Sequence, residues 1–161
     1  MIVLGVDPGT ATVGFGVVSS GRGTLKCLDY GCIRTHPEQS TAQRLLALYR
    51  GIIEIIEKNR PDRVAVEQLF FAKNAKTALA VGQARGVVVL AAASMGIDIS
   101  EYTPLEVKSA VTGYGRAAKE QVQAMVQRIL FLPTLPRPDD AADALAVAIC
   151  CINSSRMESY E

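Results

Sequence analysis

Four carboxylates stand out in this sequence because their surroundings are apolar or tightly turned. Asp7 closes the run Val-Leu-Gly-Val-Asp, and Glu67 closes Val-Ala-Val-Glu. Asp140 and Asp143 lie three apart, ahead of Ala-Leu-Ala-Val-Ala-Ile, so a helix starting there carries both on one face, turned toward a core. Four such groups brought together without a histidine favour a hard cation that prefers oxygen, Mg²⁺ or Mn²⁺ rather than zinc. Two such ions about 4 Å apart can activate a water and support the departing oxygen of a phosphodiester. Most of these residues also have an ordinary use. An Asp before Pro-Gly commonly forms a turn, and acids in a first helical turn answer the macrodipole. Glu67 is harder to explain that way, because an unpaired buried carboxylate is costly. Asp139, four before Asp143, is open between joining the site and capping the helix.

The basic residues are unevenly spread. Lys73, Lys76 and Arg85 occupy one stretch without an acid, and Lys108, Arg116, Lys119, Arg128 and Arg137 face Glu120 alone in a second. Basic segments that bracket an acidic metal site suit a polyanion held in place while one phosphate is attacked. Ordinary solvated helix faces remain the alternative. Phe70 and Phe71 follow Glu67 closely, where an exposed ring could stack on bases or wedge between them. Inward packing accounts for at least one of the two. Tyr114, between two glycines, marks a turn with a weaker claim on a ligand.

The elements that must position these residues are readable. Ile2–Asp7, Thr12–Ser19 and Leu25–Thr35 are strand-like runs joined by Pro8-Gly9-Thr10 and Gly21-Arg22-Gly23, which predicts an antiparallel meander. Ser40-Thr41 can cap a helix to about Lys58, with Leu45, Leu48, Tyr49, Ile52, Ile53 and Ile56 as its apolar stripe. Arg63–Glu67 reads as a buried parallel strand. A helix rich in Ala and Gly follows from Asn74 to about Ala93, then a shorter strand at Ile97–Tyr102. Thr103-Pro104 opens a helix broken at Gly113-Tyr114-Gly115, Ala117–Leu130 is helical, and a last helix runs from Asp139 to about Ile152. The order βββ-α-β-α-β-α-α-α predicts an α/β fold, a mixed five-stranded sheet whose first three strands are antiparallel, with helices on both faces.

Length and composition agree. The chain has 161 residues, 49% of them hydrophobic, which suits one domain over residues 1–153 with a short tail at 154–161 and excludes a disordered or fibrous chain. The net charge of +1 looks neutral toward DNA, but setting aside the four carboxylates leaves the rest basic by five charges. The longest apolar run, Gly86–Ile97, is short of the roughly 20 residues of a membrane span and reads as the buried end of a helix. Asp7 interrupts the apolar N-terminus before it resembles a signal peptide. Cys27, Cys32, Cys150 and Cys151 form no CxxC pair, and His36 is the single histidine, so free and mostly buried thiols in a reducing cytoplasm are expected. No Ser, Cys or Tyr has a base partner in view, so no covalent intermediate is expected. Asp7-Pro8-Gly9-Thr10 also resembles the phosphate turn of sugar-kinase-like ATPases, which would need a second lobe.

Several stretches together carry a closer resemblance: GVDPGTATVGFGVV, YGCIRT, VAVEQLFFAKNAKTALAVGQARG, EYTPLEVKSAVTGYGRAAKEQVQAMV and DDAADALAVAI. In that order they resemble the bacterial RuvC family of Holliday-junction resolvases along nearly the whole chain; the loop TLPRPD is the least similar part. The resemblance implies a ribonuclease-H-like fold and a homodimer. It also implies paired, symmetric nicks in two like-polarity strands of a four-way DNA junction, leaving 5′ phosphate and 3′ hydroxyl ends, in recombination and repair. Asp7, Glu67, Asp140 and Asp143 match the family's metal-binding carboxylates, for two Mg²⁺ or Mn²⁺ ions; Asp139 matches none of them. Phe70 matches the aromatic that reaches the junction centre, and Lys108 and Lys119 match lysines of DNA contact and phosphate chemistry. The expected DNA contacts are Phe70, Phe71, Lys73, Asn74, Lys76, Arg85, Lys108, Tyr114, Arg116 and Lys119. The family's dimer contact falls on the helix Ala75–Ala93. A branch-migration complex of the RuvA and RuvB type is the expected partner, and the nucleoid of the bacterial cytoplasm the expected location.

Overall fold

The computed structural model describes residues 1–9, 11–68 and 74–158. Phe70, Phe71 and Lys73 lie outside the described residues, as do Thr10 and the last three positions.

The first three strands form the expected meander. β1 (Ile2–Pro8) pairs antiparallel with β2 (Thr12–Gly21), which pairs antiparallel with β3 (Thr24–Arg34). Arg22 and Gly23 join β2 to β3, both with positive φ (48° and 85°), the twist that suits a two-residue hairpin. α1 (Thr41–Asn59) starts where Ser40 and Gln43 form a reciprocal capping box and ends where Arg60 turns left-handed before Pro61. It leads into β4 (Arg63–Glu67), which runs parallel to β1. α2 (Ala75–Ser94) then carries the chain to β5 (Asp98–Tyr102), parallel to β4 at the sheet's edge. The strand order is β3-β2-β1-β4-β5, so β1 and β4 lie at the centre as neighbours.

α3 (Pro104–Thr112), α4 (Lys119–Ile129) and α5 (Asp139–Glu158) complete the chain. The Thr103 cap with Glu106 opens α3, and Gly113 in the left-handed region closes it. α5 outruns its expected end by six residues. Asn153 to Glu158 contains neither Pro nor Gly, and the Ser154 and Ser155 hydroxyls donate back to the Cys150 and Cys151 carbonyls at 3.0 Å. The residues from 154 to 158, expected as tail, are therefore part of this helix.

Each face of the sheet has its own core. Leu4, Val6, Val13, Val17, Val64 and Val66 point to one side and pack with Leu48, Ile52 and Ile56 of α1 and with Ala84, Val88, Ala91 and Ala92 of α2. Val3, Val18 and Ala65 point to the other, against α5 and the α3–α4 pair. α5 lies between sheet and helices, and Ala141 through Ile152 is almost entirely buried apart from Asp143. Such a helix must be apolar all round, and this one is.

α2 differs from its expectation. Within the run 86–97 only Val88, Ala91 and Ala92 are fully buried, while Leu90 is 60% exposed and Leu79 66%. The helix is apolar on both sides, yet the sheet takes only one of them. The thiols also divide: Cys150 and Cys151 are buried, whereas Cys27 and Cys32 are half-buried.

What brings α5 so near the sheet is glycine. Gly5 of β1 and Gly14 and Gly16 of β2 all face α5. A Cβ at Gly5 would overlap the Ala144 carbonyl oxygen and stand 2.7 Å from the Ala148 nitrogen; one at Gly14 would overlap the Asp140 carbonyl; one at Gly16 would press on Leu145 at 2.7 Å. Gly5→Val should therefore force α5 off the sheet and cost about 3 kcal/mol, lowering Tm by roughly 10 °C. Gly21→Ala, with nothing within 4 Å of the added carbon, is the control and should leave Tm near wild type. Equal losses from both would refute the glycine seat.

Candidate active site

Strand alternation puts Val3, Gly5 and Asp7 on the α5 side of β1, and Ala65 and Glu67 on the same side of β4. The two strands run in parallel register, Gly5 beside Ala65 and Val6 beside Val66, so Asp7 and Glu67 leave the sheet at the same edge. Gly14 is the partner of Asp7 on β2. The first turn of α5 sits on Gly14 through the backbone of Asp140, which delivers that residue beside Asp7. Asp143 follows three residues later on the same helix face. One oxygen from each of Asp7, Asp140 and Asp143 falls within 4.8 Å of the others.

Glu67 stands slightly apart from this trio. It lines an adjoining cleft of about 190 Å³ with Lys108, Lys119 and Asp143, over Val107, Val122 and Ala146. Lys119 bridges the regions, its Nζ 3.2 Å from Asp143 and 3.7 Å from Asp139. Asp139 is the first residue of α5, lies outside the close trio and is paired with Arg137 beside it.

The electrostatics report crowding. Burial, then the charges of Asp143, Glu67 and Asp140, push the Asp7 carboxyl up to about 7 against the pull of Lys119. Glu67 is raised by burial and by Asp143, with Lys108 opposing. Asp143 is raised by burial and by its acidic neighbours, with Lys119 opposing. Carboxylates this close resist ionising together unless a cation joins them. Lys119 supplies one positive charge. The remaining demand, from a donor set of carboxylate oxygens alone, fits Mg²⁺ or Mn²⁺.

The expected DNA contacts differ in their surroundings. Lys108 and Lys119 line the cleft, and Tyr114 and Arg116 are exposed at the corner between α3 and α4. Lys76 is exposed in the first turn of α2. The Asn74 side chain caps that helix, accepting from the Lys76 backbone N–H at 3.0 Å. Arg85 is paired with Glu101 of β5 and ties α2 to the sheet. Two features of the site went unread in the sequence. One is the glycine seat under α5, whose signal was three glycines at positions facing one side of neighbouring strands. The other is Arg34 at the end of β3, which lines an open cleft with Arg137, Pro138, Asp139 and Asp140.

Residues 3–151 match the family model for crossover junction endodeoxyribonuclease RuvC. The chain belongs to the RuvC family. A crossover junction endodeoxyribonuclease RuvC of Moorella thermoacetica is 60% identical over 150 residues, covering 93% of this chain and 90% of its own. The RuvC structure of Thermus thermophilus superposes with a TM-score of 0.90 at 38% identity, covering 98% of this chain and 97% of that one. RuvC from the same organism in complex with a Holliday junction substrate gives 0.94 at 38% identity, covering 99% and 97%. The expected ribonuclease-H-like sheet of the RuvC family is thus the fold of this chain.

The raised Asp7 carboxyl has a measurable consequence. Folding moves it from 3.8 to about 7, so the folded state holds the proton more tightly and stability falls as pH rises through that window. Without divalent ions, Tm should be higher at pH 6 than at pH 8, and Asp7→Asn should flatten that slope and raise Tm at pH 8. Adding Mg²⁺ at pH 8 should raise the wild-type Tm by binding the folded state. A pH-independent Tm that ignores Mg²⁺ would contradict this account of the site.

Proposed function

We propose that this chain is a Holliday-junction resolvase, a metal-dependent endodeoxyribonuclease that nicks two like-polarity strands of a four-way DNA junction. The observation that carries this reading is the trio Asp7, Asp140 and Asp143 at the centre of the sheet edge in a RuvC-family chain, with two lysines in the adjoining cleft. With Glu67, the trio would hold two Mg²⁺ or Mn²⁺ ions, which supply an activated water and support for the departing 3′ oxygen. The products are a 5′ phosphate and a 3′ hydroxyl.

The protein's own groups have separate tasks in this reaction. Lys119, beside Asp143, holds the scissile phosphate, and Lys108 holds a neighbouring one. Asp7, Glu67 and Asp143 are half-buried, so their charges are screened less than they would be in open solvent. Phe70 supports the unpaired centre of the junction, by its match to the family. Phe71, Lys73, Asn74, Lys76, Tyr114 and Arg116 border the same DNA, and Arg85 would join them only by releasing Glu101.

The unused apolar side of α2 is the natural contact for a second copy of the chain. Leu79, Gly86, Leu90 and Ala93 form one exposed stripe, opposite the buried Ala84, Val88 and Ala91. By length and mean hydropathy α2 could cross a membrane, but its other side is part of the core against β1 and β4. A two-fold dimer supplies two sites for two strands. The branch-migration complex of the RuvA and RuvB type is the proposed partner, working on chromosomal DNA in the cytoplasm, at the nucleoid.

Asp7→Asn should lower cleavage of a synthetic four-way junction with Mg²⁺ by roughly a thousandfold or more while junction binding stays near wild type. Full cleavage by that variant, or wild-type preference for structured RNA over the junction, would overturn the reading. Leu90→Glu should give monomers in sedimentation with Tm of the fold retained. A persistent dimer would remove α2 from the interface.

A further inference from the structure

The carboxylate trio opens onto two clefts. On the Asp143 side lies the cleft with Glu67, Lys108 and Lys119. On the Asp140 side lies a wider, more open one, lined by Arg34, Arg137, Pro138, Asp139 and Asp140. Each cleft thus brings two basic side chains to its end of the acidic trio. A polyanionic strand laid across the trio must pass over both.

Arg34 has the better placement for a phosphate. Asp7, Gly14 and Cys32 form one row across β1, β2 and β3, all on the α5 side. Arg34 is two residues beyond Cys32, hence on the same side and one step further out at the active edge. The Cys32 thiol senses this neighbourhood: burial raises it first, Asp140 and Asp7 raise it further, and Arg34 lowers it. Arg34 is exposed and takes part in no ion pair among the described residues. Its guanidinium can therefore offer a bidentate fork without giving up a partner. The acids in the same cleft do not cancel it. Asp139 is engaged by Arg137 and Lys119, and Asp140 belongs to the metal trio.

We infer that Arg34 binds a backbone phosphate of the cleaved strand, flanking the scissile bond on the side opposite Lys108, with Arg137 and Asp139 forming the far wall of that subsite. The inference rests on the proposed junction-cleaving function and adds a second anchor to it. A strand held on one side only can pivot about that contact; one held at both ends is fixed over the carboxylates. Arg137 is the weaker probe, since removing it leaves Asp139 held by Lys119 alone, at 3.7 Å.

The test measures binding of a four-way junction in Ca²⁺, and separately its cleavage in Mg²⁺. Arg34→Ala should weaken binding by about tenfold and reduce the salt dependence of log affinity by about one phosphate's worth. Arg34→Lys should restore the salt dependence but only part of the affinity. Both variants should melt like wild type, because Arg34 is exposed at a strand end. Single neutral methylphosphonates placed along the cleaved strand then locate the contact. One position on the side away from Lys108 should weaken wild-type binding and add nothing to Arg34→Ala. If every position weakens both proteins equally, or Arg34→Ala binds as wild type does, the inference fails. If the wild type itself shows no preference for a junction over duplex, the functional reading beneath it fails instead.

Discussion

The close seating of α5 on the sheet is the contact on which the rest of the molecule depends. Gly5, Gly14 and Gly16 leave a bare strip of backbone, and α5 approaches it until its own carbonyls occupy the space side chains would need. Two results follow from that single fit. The helix becomes the centre of one hydrophobic core, with α3 and α4 behind it. Its first turn is also carried to the end of β1, where Asp140 and Asp143 meet Asp7. Packing and chemistry are therefore not separable here, because the contact that builds the core also sets the spacing of the acids.

Crowding those acids has an electrostatic cost that the surroundings partly offset. Lys119 neutralises Asp143, Lys108 faces Glu67, and Arg137 restrains Asp139. The acidic centre and the basic clefts are two halves of one charge arrangement, which is why the chain's net charge of +1 hides both.

Much of this was legible beforehand. Short turn signals and β-branched runs marked the strands, and Ser40, Thr103 and Pro104 marked helix starts, because these depend on local chemistry. The four carboxylates stood out because Asp7 and Glu67 close apolar runs and Asp140 and Asp143 precede one. What escaped was non-local. That Gly14 lies under Asp140 depends on residues far apart in the chain. Arg34 looked like an ordinary strand end until β3 placed it beside the loop before α5. The run 86–97 misled for a related reason: apolarity shows that a surface avoids water, but not whether its own sheet covers it.

The three acids that gather most closely sit on regular elements, one ending β1 and two opening the buried helix α5, and Glu67 ends β4. None rides on a loop that could swing to meet a substrate. For a nucleic-acid substrate, the compliance must then come from the DNA. An intact duplex resists local bending and unstacking, whereas a branch point already has interrupted stacking and reaches a distorted shape at lower energy. A stiff acidic frame thus favours the most deformable DNA it meets, and it can do so without touching a single base.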